Sequence, residues 1–211
     1  MELLTEGLQT YLEHHCEKEP EVLRYISRET HLKVSKPRML SGHYQGRVLS
    51  FLSKLVSPKR ILEIGTFTGY ATICLAEGLT EDGLIYTVDI NEELEERVRD
   101  HFARSGFEHK IRYHIANASD FIPTLGETFD IVFIDADKKN NETYYDLVFN
   151  KVRKGGLIIV DNVLWYGKIN SGATDSRSQT IRNFTERVMN DQRVEKLVLP
   201  VRDGLLITRK L

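Results

Sequence analysis

Phe133-Ile-Asp-Ala-Asp-Lys-Lys139 and Val160-Asp-Asn-Val-Leu-Trp165 each begin as an apolar run and end in carboxylates. A buried strand that stops at an acid delivers it to the carboxyl edge of a sheet, where open α/β folds keep their ligands. Two neighbouring strands of this kind would bring Asp135, Asp161 and Asn162 together as hard oxygen donors. Such a set suits a divalent cation, Mg²⁺, Mn²⁺ or Ca²⁺. Lys138 follows closely, and an amine beside a bound cation loses its proton more readily, so it is a candidate base. Two other readings stay open: solvated acids at ordinary strand ends, and a surface lysine paired with Asp137 or Glu142.

Ile61-Leu-Glu-Ile-Gly-Thr-Phe-Thr-Gly-Tyr70 runs from a strand through a glycine-bounded turn into a helix. Gly65 and Gly69 let the backbone pass close under a ligand. Phe67 breaks the G-x-G-x-x-G dinucleotide fingerprint and no Gly-Lys-Ser/Thr follows, which suits a nucleoside-like ligand without a diphosphate. These features argue against a nucleotide-binding dehydrogenase. Asp89, closing the next strand, is placed to accept hydrogen bonds from ribose hydroxyls, or else to stabilise the N-terminus of the following helix. Glu63 lies inside the first strand, where an unpaired acid is costly, so a partner is implied.

The elements that must position these residues alternate. Helical spacing over Leu4, Leu8, Tyr11 and Leu12, over Pro20–Thr30 and over Tyr44–Leu55 predicts an α-helical N-terminal part, with a loop over Lys33–His43. Strands are expected at Ile61–Phe67, Leu84–Ile90, Ile111–Ala116, Ile131–Ala136 and Leu157–Val163. Helices are expected at Tyr70–Leu79, Glu92–Ser105, Asp120–Leu125 and Glu142–Val152. Strand–helix alternation predicts a parallel sheet covered on both faces. After the polar segment Lys168–Ser178 one more helix should run to about Asn190. Lys196–Val201 and Leu205–Thr208, joined at Arg202-Asp203-Gly204, read as a closing strand pair. The chain is read as a single domain, residues 1–57 a helical part and 58–211 the cofactor-binding core.

With 211 residues, 41% of them hydrophobic, there is enough chain for one full core. The net charge of −2 carries no nucleic-acid footprint. Two cysteines, Cys16 and Cys74, make no disulfide framework. With no signal-like start and no apolar run of membrane-spanning length, the expectation is a cytoplasmic protein without a membrane partner. His14, His15, His31 and His43 do not form a metal-ligand spacing.

Together, Leu62-Glu-Ile-Gly-Thr-Phe-Thr-Gly-Tyr70, Val88-Asp89, the Asp135-Ala-Asp-Lys138 run and Asp161-Asn-Val-Leu-Trp165 resemble the cation-dependent O-methyltransferases that use S-adenosylmethionine. That group includes caffeoyl-coenzyme A and catechol enzymes. The resemblance implies a Rossmann-like α/β methyltransferase sheet of seven strands, the last inserted antiparallel, with extra N-terminal helices. It implies that Asp135, Asp161 and Asn162 hold the metal. Glu63, Gly65 and Asp89 would surround the methionine and ribose of the cofactor, and Ala118 would lie by the adenine. Met39 and Ser41 match positions that close over the cofactor, and Asp137 and Tyr144 match further contacts. Asp135 belongs to both sets. Ala71 stands where many relatives carry Ser. Relatives are commonly homodimers.

The implied reaction moves a methyl group to a hydroxyl of a catechol-like small molecule, with Lys138 as base and Trp165 and Tyr166 walling the acceptor. Core packing is the other reading of Trp165. An alternative acceptor is a hydroxylated uridine in transfer RNA, met by a basic rim of Arg24, Arg28, Lys33, Lys36, Arg38 and Arg47.

Overall fold

The computed structural model describes residues 5–170, 172 and 174–211; Leu4, the first position of the expected N-terminal helical pattern, lies outside them. Three helices come first: α1 (Glu6–His14), α2 (Glu21–Lys33) and α3 (His43–Val56). Thr5 caps α1 through its side chain. Pro20 is the N-cap of α2, one position earlier than a first-turn proline. The expected loop before α3 contains a short 3-10 turn, Pro37–Met39.

The alternating part follows as β1 (Arg60–Ile64), α4 (Tyr70–Ala76), β2 (Leu84–Asp89), α5 (Glu95–Ser105), β3 (Ile111–Ile115), α6 (Ala118–Thr124), β4 (Phe129–Ile134), α7 (Asn141–Phe149) and β5 (Val152–Asp161). α8 (Ser176–Met189), β6 (Val194–Leu199) and β7 (Leu205–Lys210) complete it. Among the described residues seven strands form one sheet in the order β3-β2-β1-β4-β5-β7-β6. β7 runs antiparallel to both β5 and β6, as expected.

Several boundaries shift by a few residues from the sequence reading, and two of the shifts have a backbone cause. β1 stops at Ile64, because Gly65 at φ +102° turns the chain away from the sheet. β5 starts at Val152, five residues early: Val152 pairs with Phe129 before a register shift, with Gly155 at φ +75°. Two adjacent glycines hid a strand that accommodates an irregularity.

Both faces are covered. Leu23, Ile26, Leu49, Ile73, Val98 and Phe102 of α2–α5 pack with Ile61, Ile85 and Ile131 on one side. Ile122, Tyr145, Val148, Phe184 and Val188 of α6–α8 pack with Leu62, Val132 and Val160 on the other. Strands buried on both faces read as continuous apolar runs, which is why they were legible. β1 pairs with β2 on one side and β4 on the other, so strand order reverses beside its carboxyl end. Such a crevice is where this architecture binds ligands. No helix among the described residues is long and apolar enough to cross a membrane.

Candidate functional site

Register brings the acids together. Ile64 pairs with Ile134 and Ile134 with Val160, so Asp135 and Asp161 follow the same level of two adjacent strands. Asp135 is held by its backbone, its N–H donating to the Ile64 carbonyl at 2.9 Å. Lys138 Nζ donates to Asp135 Oδ1 at 2.9 Å, so the lysine pairs with the strand-end acid and not with Asp137 or Glu142. Asp161 is completely buried. Its Oδ1 accepts the Asn162 N–H at 2.6 Å and its Oδ2 accepts Gln45 Nε2 at 2.8 Å. Arg202 Nη1 stands 3.7 Å from the same Oδ2. Burial, and then the charge of Asp135, push the Asp161 carboxyl well above the usual carboxylate range.

These groups fit a divalent cation. Two carboxylates that repel each other, one of them desolvated, gain most from a positive charge between them. Among the described residues no three His, Cys, Asp or Glu side chains gather as a metal cluster, and the Asn162 amide, next in sequence to Asp161 and on the cavity wall, is the third donor expected from sequence. Asn162 is held at φ +62°, a left-handed conformation that Asn tolerates better than most residues.

On the other side of the switch point, Asp89 stitches the glycine turn. Its Oδ2 accepts the N–H groups of Thr66 and Phe67 at 2.9 and 2.8 Å, and its Oδ1 accepts that of Asn91 at 2.9 Å. The acid therefore shapes the turn and is no simple helix cap. Glu63 Oε2 accepts the hydroxyls of Thr72 and Thr87, the latter at 2.6 Å, while Oε1 has no partner among the described residues. Burial raises the Glu63 carboxyl to about 8 against the pull of those two hydroxyls.

A cavity of about 1150 Å³ opens over these strand ends. Met39, Ser41, Gly65, Asp89, Ala118, Asp135, Asp137, Lys138, Tyr144 and Asn162, all anticipated from sequence, lie on its wall, as does Ala71. Glu63 and Asp161 do not: both are fully buried beneath it. Trp165 and Tyr166 also line the cavity, with ring centroids 5.6 Å apart, and Trp165 is only partly buried rather than core. Of the seven non-glycine residues with positive φ among those described, six line this cavity: Lys36, Phe67, Asn162, Trp165, Tyr166 and Arg202. Backbone strain of that kind concentrates at functional sites.

The O-methyltransferase family model matches residues 13–211. The chain belongs to the O-methyltransferase family. It is 30% identical to the probable caffeoyl-CoA O-methyltransferase 2 of Dictyostelium discoideum, over 97% of this chain and 92% of the relative. It is 33% identical to caffeoyl-CoA O-methyltransferase 2 of Populus trichocarpa, over 92% and 83%. The crystal structure of the O-methyltransferase TomG from Streptomyces achromogenes, involved in tomaymycin synthesis and in complex with SAM, superposes with a TM-score of 0.89 at 28% identity. That match covers 98% of this chain and 99% of TomG.

Within this O-methyltransferase the expected basic rim is redrawn. Arg47 is buried in a two-pronged pair with Glu77 at 2.9 and 2.8 Å, so it faces no ligand. Arg24 and Arg28 are off the cavity wall, and Lys33 is engaged by Glu29. Lys36 and Arg38 remain, joined by Lys139 from the turn after β4 and Arg177 from the first turn of α8. The Nδ1 atoms of His14, His15 and His31 donate to carbonyls of their own helices.

Sequence reasoning missed Gln45, Arg202 and Asp203. Gln45 lies four residues before Leu49 and eight before Ser53, on the buried stripe of α3. An uncharged polar group on an apolar stripe was the available signal. Arg202 and Asp203 read only as turn residues. Asp203 Oδ1 accepts the Tyr166 N–H at 2.5 Å, and Arg202 Nη2 donates to the Arg38 carbonyl. The turn thus ties together the two loops that frame the cavity mouth.

Gly65 has a second reason to be glycine. A Cβ there would lie 2.1 Å from the Asp135 carbonyl oxygen. Gly65→Ala should destabilise the fold by about 2–4 kcal/mol through overpacking and left-handed strain. Thermal denaturation should show Tm lower by on the order of 10 °C.

Proposed function

We propose that this O-methyltransferase transfers a methyl group from S-adenosylmethionine to one of two neighbouring hydroxyls of an aromatic acceptor held at a divalent cation. The observation that carries the reading is the Asp135–Asp161–Asn162 set with Lys138, at the ends of adjacent strands and beside the Asp89-braced glycine turn. The SAM complex of the structurally similar TomG supports the choice of methyl donor.

In this reading Asp89 accepts the ribose hydroxyls, Gly65 admits the donor's amino-acid portion, and Glu63 offers its free Oε1 to the ammonium group. Ala118 leaves room for the adenine. Asp137 and Tyr144, whose hydroxyl donates to Asp137 at 3.4 Å, bound the nucleoside side. Met39 and Ser41 close the mouth from the loop before α3. Asp135, Asp161 and the Asn162 carbonyl would hold the cation, which lowers the pKa of a bound phenol and fixes both hydroxyls. Lys138 takes the phenolic proton, and Trp165 and Tyr166 face the aromatic ring. Holding acceptor and donor in line supplies much of the rate.

The first test mixes the protein with S-adenosylmethionine and caffeate or catechol, with Mg²⁺ and with EDTA, and follows the product by mass spectrometry. A methylated product that EDTA abolishes is expected. Methylation unaffected by EDTA would refute the cation's role. Lys138→Met should lower kcat by about 10²-fold while leaving donor affinity unchanged. If it retains most of the turnover, Lys138 is not the base.

One observation favours an acceptor with an anionic extension. Lys36, Arg38, Lys139 and Arg177 line the mouth, and no ion pair engages them among the described residues. A coenzyme A thioester or a transfer RNA would use them. Transfer RNA binding that falls steeply with salt would favour the latter. A homodimer, suggested by family resemblance, would find exposed apolar side chains at Leu8 and Tyr11 of α1 and Phe51 and Leu55 of α3.

A further inference from the structure

The cation reading leaves one question: what aims a carboxylate buried beneath the cavity floor. We infer that Gln45 is the positioning residue of the cation site, holding Asp161 in the orientation a divalent ion needs; this rests on the cation reading proposed above.

Among the described residues, Gln45 is the only side chain within hydrogen-bonding distance of the Asp161 carboxylate, its Nε2 lying 2.8 Å from Oδ2. The other bond on that group is the adjacent Asn162 N–H. Arg202, at 3.7 Å, is beyond hydrogen-bond reach. Without Gln45 the Asp161 carboxylate would keep a single hydrogen bond, from the Asn162 N–H, and only the longer Arg202 ion pair at Oδ2. With a cation bound, Asp161 is ionised and only accepts, so the amide NH₂ is the end that faces it.

The residue is itself held rigidly. α3 packs against α4 so closely that a Cβ on Gly46 would meet the Tyr70 ring at 2.7 Å and Cys74 Sγ at 2.9 Å. Ser53 Oγ donates to the Leu75 carbonyl at 2.6 Å, and Arg47 clasps Glu77, locking the same helix pair. Gln45 is 2% exposed, so it cannot trade Asp161 for solvent. Its Oε1 has no partner among the described residues. A glutamine kept only for packing would have no reason to bury an unpaired carbonyl while spending its amino group on one acid. The amide is also neutral: it orients Asp161 without neutralising it, leaving the negative charge available to a cation. A lysine or arginine at this position would compete for that charge.

Hydrogen-bond partners of metal ligands typically contribute 10–100-fold to metal affinity. The test measures Mn²⁺ binding to the full-length protein by electron paramagnetic resonance or calorimetry, with S-adenosylhomocysteine affinity measured alongside without metal. Gln45→Met keeps the volume and removes the donor; Gln45→Asn keeps the amide but is one methylene too short. Both should bind Mn²⁺ about 10-fold or more weakly, with S-adenosylhomocysteine affinity unchanged. In steady state their activity should recover as Mg²⁺ is raised, the half-saturating concentration shifting by the same factor and kcat holding. Mn²⁺ affinity equal to wild type in both variants would overturn the inference while leaving the cation reading intact. Failure of the wild-type protein to bind Mn²⁺ would overturn the cation reading, and this inference with it.

Discussion

Asp161→Asn is expected to lower kcat/KM for a catechol acceptor by on the order of 10³-fold, the loss that follows when several kcal/mol of cation-derived stabilisation disappears. Excess Mg²⁺ should restore little of it. Both Asp161 oxygens are already placed, one by Asn162 and one by Gln45, and the side chain has no route to solvent. The amide keeps the shape: its oxygen can still accept the Asn162 N–H, and its NH₂ can donate to Gln45 Oε1 once the Gln45 amide turns over, so the metal-free fold should survive. Ionising Asp161 in the folded chain is unfavourable, because of burial first and Asp135 second. A neutral side chain removes that cost, so metal-free Asp161→Asn should show a Tm at pH 8 no lower than wild type. An activity loss accompanied by unfolding would instead mean that Asp161 is a structural acid.

Glu63→Gln should separate donor binding from stability in the same way, with a sign set by pH. The folded-state value is about 8 against an ordinary 4.5, with burial as the main cause. Between those values the native chain holds a proton that the unfolded chain has released. Stability therefore falls as pH rises through this window, and the penalty is complete above about 8. Glu63→Gln never ionises, so its Tm should fall less between pH 5 and pH 9. At pH 9 it should unfold about 5 °C higher than wild type, as relief of one to two kcal/mol predicts. Donor affinity should move the other way. Losing the charge-assisted hydrogen bond that Oε1 would accept from an ammonium group should weaken S-adenosylmethionine binding by about 10-fold or more. Calorimetry and differential scanning fluorimetry on the same samples decide it: unchanged donor affinity would remove Glu63 from the donor site.

The expected strand ends were informative for a simple reason. Ile131–Ile134 and Leu157–Val160 are buried on both faces, so their apolar runs are nearly unbroken and the first acid marks the end. Helix boundaries were less legible. α6 begins at Ala118, capped by Asn117, and carries Pro123 inside it, whereas the apolar pattern suggested a start at Asp120. The glycine pair that conceals the first half of β5 shows the same limit, since local signals mark breaks and pairing partners can override them.

What the linear chain determined by itself was the chemistry available and its order: carboxylates at the ends of two apolar runs, a glycine turn unsuited to a diphosphate, an acid closing the second strand, and an alternation that admits one class of sheet. Those features are local, carried by neighbouring residues. Only the tertiary structure decided which distant groups meet them. Pairing of Ile134 with Val160 set Asp135 beside Asp161, and pairing of Asp161 with Leu205 carried Arg202 and Asp203 to the cavity mouth. The packing of α3 on α4 brought Gln45 to an acid 116 positions away. It also turned Arg47 inward to Glu77, where its charge had suggested the rim. A helix periodicity states which face is buried; what that face is buried against depends on strand register and interhelical contact, and neither is written in local spacing.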